Sequence, residues 1–394
     1  MSAYRLEDER AIRTGRLVDD WTKSGLLIRA QRDIVMPQLA VDLRRTNKFL
    51  RTTLFIFGAI ILQSTVGLLV VTIGAAADSV VASMLCVLLG GACFWLAAQL
   101  VRRYRWYRFG VEEAAALSAA GLIAAGAAVL FGGDSEWSVT RGLGSWMFVV
   151  ALAVGAATLT VLYLYFGYVY AAVMAMAAAA AVPFQFGDTE MVQRTIAVII
   201  LVAIASASRV ARVDQGDEHP DDALAVIEAA AWLGIYVLVN LVLSSGITPL
   251  DRAASAFWIT YAGIWLLPVA GLWRALRGRE RPLLLVSIVM ALGTLLSNKE
   301  YWGSPRFEWD PIVFGVLLMV MAVGLRRWLA SGDGGMRHGY TAARFLVSDK
   351  SALGGLAMVS AVHTEVPVAQ SAPPVDPSIG GGGRSGGAGG GGSF

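Results

Sequence analysis

Charge is what this sequence has least of. Only 15% of its 394 residues are Asp, Glu, Lys or Arg, against about a quarter in ordinary soluble domains, and 56% are hydrophobic. A water-soluble globule is therefore not expected. Catalytic residue sets are missing as well. No Ser-His-Asp set, zinc-ligand spacing or phosphate-cradling glycine loop precedes the C-terminal tail, which removes the usual signatures of hydrolases, zinc enzymes and nucleotide-binding proteins. No catalytic residue, cofactor or metal is expected, and the chain reads as non-enzymatic. Cysteine is limited to Cys86 and Cys93. Seven positions apart on one helix, their α-carbons would lie about 10 Å from each other, too far for a disulfide, so two buried free thiols are expected. A net charge of +3 gives no argument for nucleic-acid binding.

What the sequence has in quantity is long uncharged runs. Residues 52–77 and 144–187 carry no charge at all, and an apolar run of about 18 residues or more reads as a bilayer span. Ten spans are expected, at 52–74, 79–100, 111–131, 144–163, 166–183, 193–209, 225–246, 255–273, 282–298 and 311–327. The fold class is an all-α polytopic helical bundle. The fourth and fifth spans come from one apolar stretch that as a single helix would be about twice as long as the hydrocarbon is thick. A turn is expected near Tyr165, Phe166 and Gly167.

Basic residues accumulate on the cytoplasmic side of membrane proteins. With ten spans and both termini inside, 27 of the 32 basic residues fall on cytoplasmic segments and five (Arg141, Arg194, Arg252, Lys299, Arg306) on external loops. Tyr104, Trp106 and Tyr107 at one end, and Tyr301, Trp302 and Trp309 at the other, sit where interfacial aromatics belong. The first 51 residues, with 11 basic and seven acidic side chains, lack the short apolar core of a cleavable signal.

Those 51 residues read as a cytoplasmic helical hairpin. Leu17, Val18, Trp21, Leu26 and Leu27 would form its apolar side, and Glu9 with Arg13 and Asp19 with Lys23 have ion-pair spacing. Gly25 suits a helix stop. A second short helix over 28–36 would fold back, and Pro37 would open a third running through Arg44, Arg45, Lys48 and Arg51 into the membrane. After Arg327 the chain changes character. Its last 15 residues hold ten glycines, preceded by Pro373, Pro374 and Pro377, so residues 328–394 read as a cytoplasmic, largely disordered tail.

Trp21, Gly25-Leu26-Leu27 and Gln31, placed just before the first span, resemble the N-terminal hairpin of a family of bacterial multipass membrane proteins known only as a domain of unknown function. The resemblance covers mainly residues 15–75. It implies a bacterial inner-membrane location and no particular activity.

Polar groups inside the spans are the natural candidates for a site, because they must be paired or face water. Gln63, with Ser64 and Thr65 beside it, lies mid-span. Glu228, Trp232, Tyr236 and Asn240 form an i+4 row. Glu112 and Glu113 open the third span, where the helix dipole favours negative charge, and Asp310 before Pro311 suits an N-cap. Gln63 and the Glu228 row either serve a solute or fasten helices, and Glu112 and Glu113 either handle protons or cations or complement the helix dipole; the structural reading is favoured for each. Asp217, Glu218, His219, Asp221 and Asp222 have metal-ligand residue types but only one histidine, so a solvated loop is expected. His338 and His363 stand alone in the tail. Abundant Ala and Gly in 114–128 and 171–181 argue for close helix packing, and Pro268 marks a kink in the eighth span.

The reading that follows is an integral membrane protein with an envelope-associated structural, regulatory or partner-binding role. Its partners would be the lipid bilayer and a protein docking on the N-terminal hairpin. The rival is a small-solute permease of five-plus-five architecture.

Overall fold

The computed structural model describes residues 3–23, 25–74, 79–131, 146–186, 189–215, 221–245, 255–278, 280–301, 309–332, 336–337 and 340–341. All fall within one compact unit, Met1–Leu346. Of the expected disordered tail, residues 328–332, 336–337 and 340–341 are described, as the end of a helix and a short strand pair; the rest of it, with His338 and His363, lies outside the described residues, as do Asp217, Glu218 and His219 and the side chains of Asp221 and Asp222.

The chain is helical. Two short helices, α1 (Leu6–Lys23) and α2 (Arg29–Val35), are followed by α3 (Lys48–Gly74), α4 (Ser79–Arg102), α5 (Val111–Phe131), α6 (Trp146–Phe166), α7 (Val169–Ala181) and α8 (Glu190–Gln215). Then come α9 (Asp221–Val239), α10 (Leu241–Ser245), α11 (Ser255–Gly278), α12 (Arg281–Tyr301) and α13 (Asp310–Ala330). Two-residue strands β1 (Met336–Arg337) and β2 (Tyr340–Thr341) pair antiparallel, Met336 opposite Thr341. Seven helices are long and apolar enough to cross a bilayer: α3, α4, α5, α6, α8, α11 and α12. Two shorter apolar helices, Val169–Gln185 and Ala223–Val239, lie where the fifth and seventh spans are expected. This is a membrane protein. The long apolar stretch does turn: α6 ends at Gly167, whose φ is +70°, and the Gly167 N–H donates to the Tyr163 carbonyl. Cys86 and Cys93 are free.

The N-terminal hairpin differs from expectation in its third element. Gly25 ends α1 at φ +81°, with the Leu26 N–H on the Trp21 carbonyl and the Gly25 N–H on the Thr22 carbonyl, the two bonds of a Schellman stop. Gln31 reaches back to cap the Ile28 N–H, and Arg32 on α2 binds Asp19 on α1 at 2.8 Å. After a 3-10 turn at Met36–Leu39, however, the chain is extended rather than helical up to Asn47, whose side chain accepts the Leu50 N–H and starts α3. Two causes act here. The Arg44 N–H donates to the Arg105 carbonyl, and the Tyr107 N–H donates back to Arg44, so the segment is bridged to the α4–α5 loop. Val41 and Leu43 also pack into the core while Asp42 pairs outward with Arg105, a period of two that only extended chain provides. The buried side of α1 is Ile12, Gly15 and Val18, while Leu17 and Trp21 are exposed.

Two helices anchor the bundle. Half of the spanning window of α5 is inside the structure, against 11% for α3 at the periphery. Ala114, Ala115, Ala116, Ala119, Ala120, Ala127 and Ala128 are buried on α5, so α4 and α6 approach its backbone closely, which is how helices associate where lipid removes the hydrophobic drive. Ser83 on α4 donates to the Gly126 carbonyl on α5 at 2.5 Å, and a Cβ at Gly126 would meet the Ser83 carbonyl oxygen at 2.8 Å. In the second half α9 takes the central place, between α8 on one side and α11 and α12 on the other. α11 runs through Pro268 without interruption, and α13 begins at Asp310 with Trp309, not Asp310, in the N-cap position.

Gly110 fixes the entry to α5. Its φ is +115°, and an added Cβ would lie 2.3 Å from the Arg51 carbonyl oxygen. Gly110→Ala is expected to destabilise the protein by about 2–4 kcal/mol. Gly121→Ala, where a Cβ meets nothing within 4 Å, should change little. Thermal unfolding in detergent, followed by size-exclusion of the surviving monodisperse fraction, compares the two.

Candidate functional site

Three polar assemblies emerge from the packing. The first gathers at the ends of α3, α5 and α6. Glu113 on α5 takes a two-pronged salt bridge from Arg51 on α3, Nη2 to Oε1 at 2.5 Å and Nε to Oε2 at 3.1 Å. Glu112 turns back on its own helix start and accepts the Phe109 and Gly110 N–H groups at 2.5 and 3.1 Å. Both carboxylates are thus engaged in holding helix starts. Around them stack Phe166, Tyr168 and Tyr170, with Tyr4 edge-on to Tyr107, and the Ala3 N–H bonds the Tyr165 carbonyl. The hydroxyls of Tyr4, Tyr168 and Tyr170 are buried without a hydrogen-bond partner among the described residues. Tyr4 and Tyr168 are near enough to influence one another but not in bonding geometry. Burial first, and then the Glu112 charge, push the Tyr4 hydroxyl well above the ordinary tyrosine range, so it stays protonated.

The second assembly lies inside the second half and is a closed circuit of donors. Pro268 has no N–H for the Ile264 carbonyl four residues earlier, and proline in a helix interior normally leaves that oxygen unpaired. Thr294 on α12 donates to it at 2.6 Å. Tyr236 and Thr294 hydroxyls are 3.0 Å apart, and the Asn240 amide donates to Tyr236 at 3.0 Å and to Ser297 at 2.9 Å. Asn240 itself interrupts the helix between α9 and α10. The Leu241 N–H goes to the Tyr301 hydroxyl at 2.8 Å, and the Asn240 oxygen accepts the Leu243 N–H at 3.3 Å. Asn240 is 0% exposed. The row Glu228, Trp232, Tyr236 and Asn240 therefore faces one way, as the spacing predicts, and the groups it meets on α11 and α12 are packing partners. Gln63 stands apart on the exposed side of α3, its amide nitrogen 3.5 Å from the Ser118 hydroxyl.

The third assembly is the best candidate site, because it combines buried charge with open space. Glu228 is 2% exposed and is clasped from both sides: Arg212 from the end of α8 donates to Oε2, and Arg274 from the end of α11 donates to Oε1. The same Arg212 nitrogen reaches Glu280 at 2.9 Å. Above this clasp opens a cavity of about 620 Å³ lined by Arg209, Arg212, Trp273, Arg274, Arg277, Gly278 and Glu280. The Nε groups of Arg212 and Arg274 are buried and find no acceptor among the described residues. Glu228 was legible in the sequence as an intramembrane carboxylate. Its partners were not, although Arg212 and Arg274 stand at helix ends on the same expected side. Among the described residues no group of three or more His, Cys, Asp or Glu could hold a metal ion.

Comparison with protein-family models, with curated proteins and with solved structures returns no match.

Three substitutions at two positions probe these assemblies. Glu228→Ala leaves two largely buried guanidiniums facing one another and is expected to cost about 3–5 kcal/mol, with Glu228→Gln costing less because one acceptor oxygen remains. Thr294→Val should cost about 1 kcal/mol by stranding the Ile264 carbonyl. Unfolding midpoints of the three variants in detergent, ranked against the parent, give the comparison.

Proposed function

We propose that this chain is a ten-span bacterial inner-membrane protein with both termini cytoplasmic, non-enzymatic, serving an envelope-associated structural, regulatory or partner-binding role through its cytoplasmic face. The observation that carries the reading is where the polar groups go. In the second half those at membrane depth are consumed by one another in the Asn240–Tyr236–Thr294–Ser297 circuit, while the charged assembly with open space beside it gathers at helix ends.

Several features support ten spans over seven. Helices Val169–Gln185 and Ala223–Val239 are each about 26 Å long. The second continues beyond its break into α10, and both pack between helices that cross fully. With α13, 21 residues long, they bring the total to ten. Alternating direction is supported by the ion pairs: Arg212 and Arg274 at helix ends meet Glu228 and Glu280 near helix starts, as an up-and-down bundle requires. An even number returns the tail to the side of the hairpin, and 27 of 32 basic residues then face the cytoplasm. The hairpin presents Trp21, Leu26, Ile28 and Ile34 outward, a face suited to a protein partner or the lipid surface.

The permease alternative requires water to reach the circuit. With Cys86 and Cys93 replaced by serine, single cysteines at Ser297 and Asn240 are expected to stay unreactive toward a small membrane-impermeant thiol reagent in native membranes, while a cysteine at Ser138 in the expected external loop reacts. Ser297→Cys is nearly isosteric, so its silence reports access rather than misfolding. Reaction at either buried position would place the permease reading first.

A further inference from the structure

The cavity above Glu228 has more positive charge than its fold needs. Arg212 and Arg274 are committed to Glu228 and Glu280, yet Arg209 and Arg277 line the same space without a carboxylate partner among the described residues. Among the described residues four guanidiniums face two carboxylates. The ends of α8 and α11 add about half a negative charge each, which does not cancel the excess. Guanidiniums lining one space repel one another, and an anion that enters it relieves that repulsion. The buried, unpartnered Nε groups of Arg212 and Arg274 are donors left over after the ion pairs are made, and the planar guanidinium fork matches the oxygens of a phosphate.

The surface leading away from the cavity tells what is attached to the phosphate. Leu266, Val269 and Trp273 on α11 are 66%, 64% and 63% exposed, and their i, i+3, i+7 spacing puts them on one stripe that ends at Arg277. The Arg277 guanidinium sits 5.5 Å from the centre of the Trp273 ring, so the apolar stripe and the basic cavity meet at an aromatic of the kind that marks the membrane interface. An inorganic anion would use the cavity and leave the stripe unused. A lipid would use both.

We propose that the cavity lined by Arg209, Arg212, Arg274 and Arg277 binds the phosphate of an anionic phospholipid headgroup, with an acyl chain lying along Trp273, Val269 and Leu266. This rests on the membrane placement proposed above, which puts the cavity at the level of the cytoplasmic leaflet, where basic pockets between helices take anionic headgroups. Arg212 and Arg274 both hold Glu228 and supply the inner donors, whereas Arg209 and Arg277 make no ion pair with it among the described residues and can be changed without opening the clasp.

The full chain is reconstituted in nanodiscs of phosphatidylcholine alone or with added phosphatidylglycerol, released into the gas phase, and its retained lipids are identified by native mass spectrometry. Thermal unfolding in detergent with either lipid, or with inorganic phosphate, forms a second arm. Retention of phosphatidylglycerol over phosphatidylcholine is expected, falling by about tenfold or more in the double variant Arg209→Gln, Arg277→Gln, whose unfolding midpoint without lipid should be no lower than the parent's. Trp273→Ala should weaken lipid retention and leave any response to phosphate unchanged. Equal retention of the two lipids, or undiminished retention by the double variant, would overturn the proposal. Stabilisation by inorganic phosphate as large as that by phosphatidylglycerol, with no effect of Trp273→Ala, would overturn the lipid as the source and make a soluble phosphate the occupant. Anion binding in detergent does not depend on which side of the membrane the cavity faces. Labelling of an Arg277→Cys variant in oriented vesicles tests that side separately, so a failure of topology and a failure of binding give different results.

Discussion

Inside hydrocarbon no water can take over a backbone group that a helix releases, so each must be satisfied by the protein itself. The second half of this chain is organised around two such releases. Pro268 frees the Ile264 carbonyl on α11, and the break at Asn240 leaves the Leu241 N–H on α10 without its helical acceptor. α12 answers both, with Thr294 on the first and Tyr301 on the second. The requirement fixes which helices are neighbours, since α12 must touch α9 and α11 at once. It also fixes register, because Thr294, Ser297 and Tyr301 have to recur along one side of α12.

The first half meets the same requirement by avoiding it. Between Val111 and Phe131 the helix has no proline and no break, and its alanines let α4 and α6 pack against bare backbone. Its ionisable residues are displaced to the helix start, where Glu112 closes two N–H groups and Glu113 takes Arg51. The first half coheres by close packing, and the second adds a hydrogen-bonded circuit to it. An interhelical hydrogen bond in a membrane is worth only about 0.6 kcal/mol on average, so the circuit adds less by its summed strength than by excluding every arrangement that strands a donor.

The sequence showed most of this plan and little of its reasons. Uncharged runs located the helices because their length and composition are set by the bilayer, and Gly167 marked a turn that helix length alone demanded. The segment 40–47 was misread because Pro37 does favour a helical first turn, which the chain makes over Met36–Leu39 and then leaves. What overrode it was a bridge from Arg44 to Arg105 and Tyr107, a contact between residues some 60 positions apart that no local pattern carries. Pro268 was read as a kink, although it equally implied a donor on a neighbouring helix. The Arg212–Glu228–Arg274 clasp lay hidden for the same reason as the bridge, being spread over three helices. Glu228 was visible because a carboxylate stands out in an apolar run, whereas arginines at helix ends look like ordinary topological signals.

That ambiguity bears on what the clasp is for. Arginine at a cytoplasmic helix end satisfies the topology rule wherever its side chain points, so nothing about insertion requires Arg209, Arg212, Arg274 and Arg277 to converge. Stability does not require it either. A buried ion pair gains little over apolar residues of the same shape, because the cost of removing both charges from water offsets their attraction. Among the described residues the convergence leaves two guanidiniums in excess, which calls for a cause outside both folding and insertion. An anion is the simplest one, since it turns the mutual repulsion of the arginines into attraction for itself. The clasp on Glu228 then has a clear part in the arrangement: it holds Arg212 and Arg274 in fixed positions before any ligand arrives, so that the entropy of ordering two long side chains is spent in folding rather than in binding.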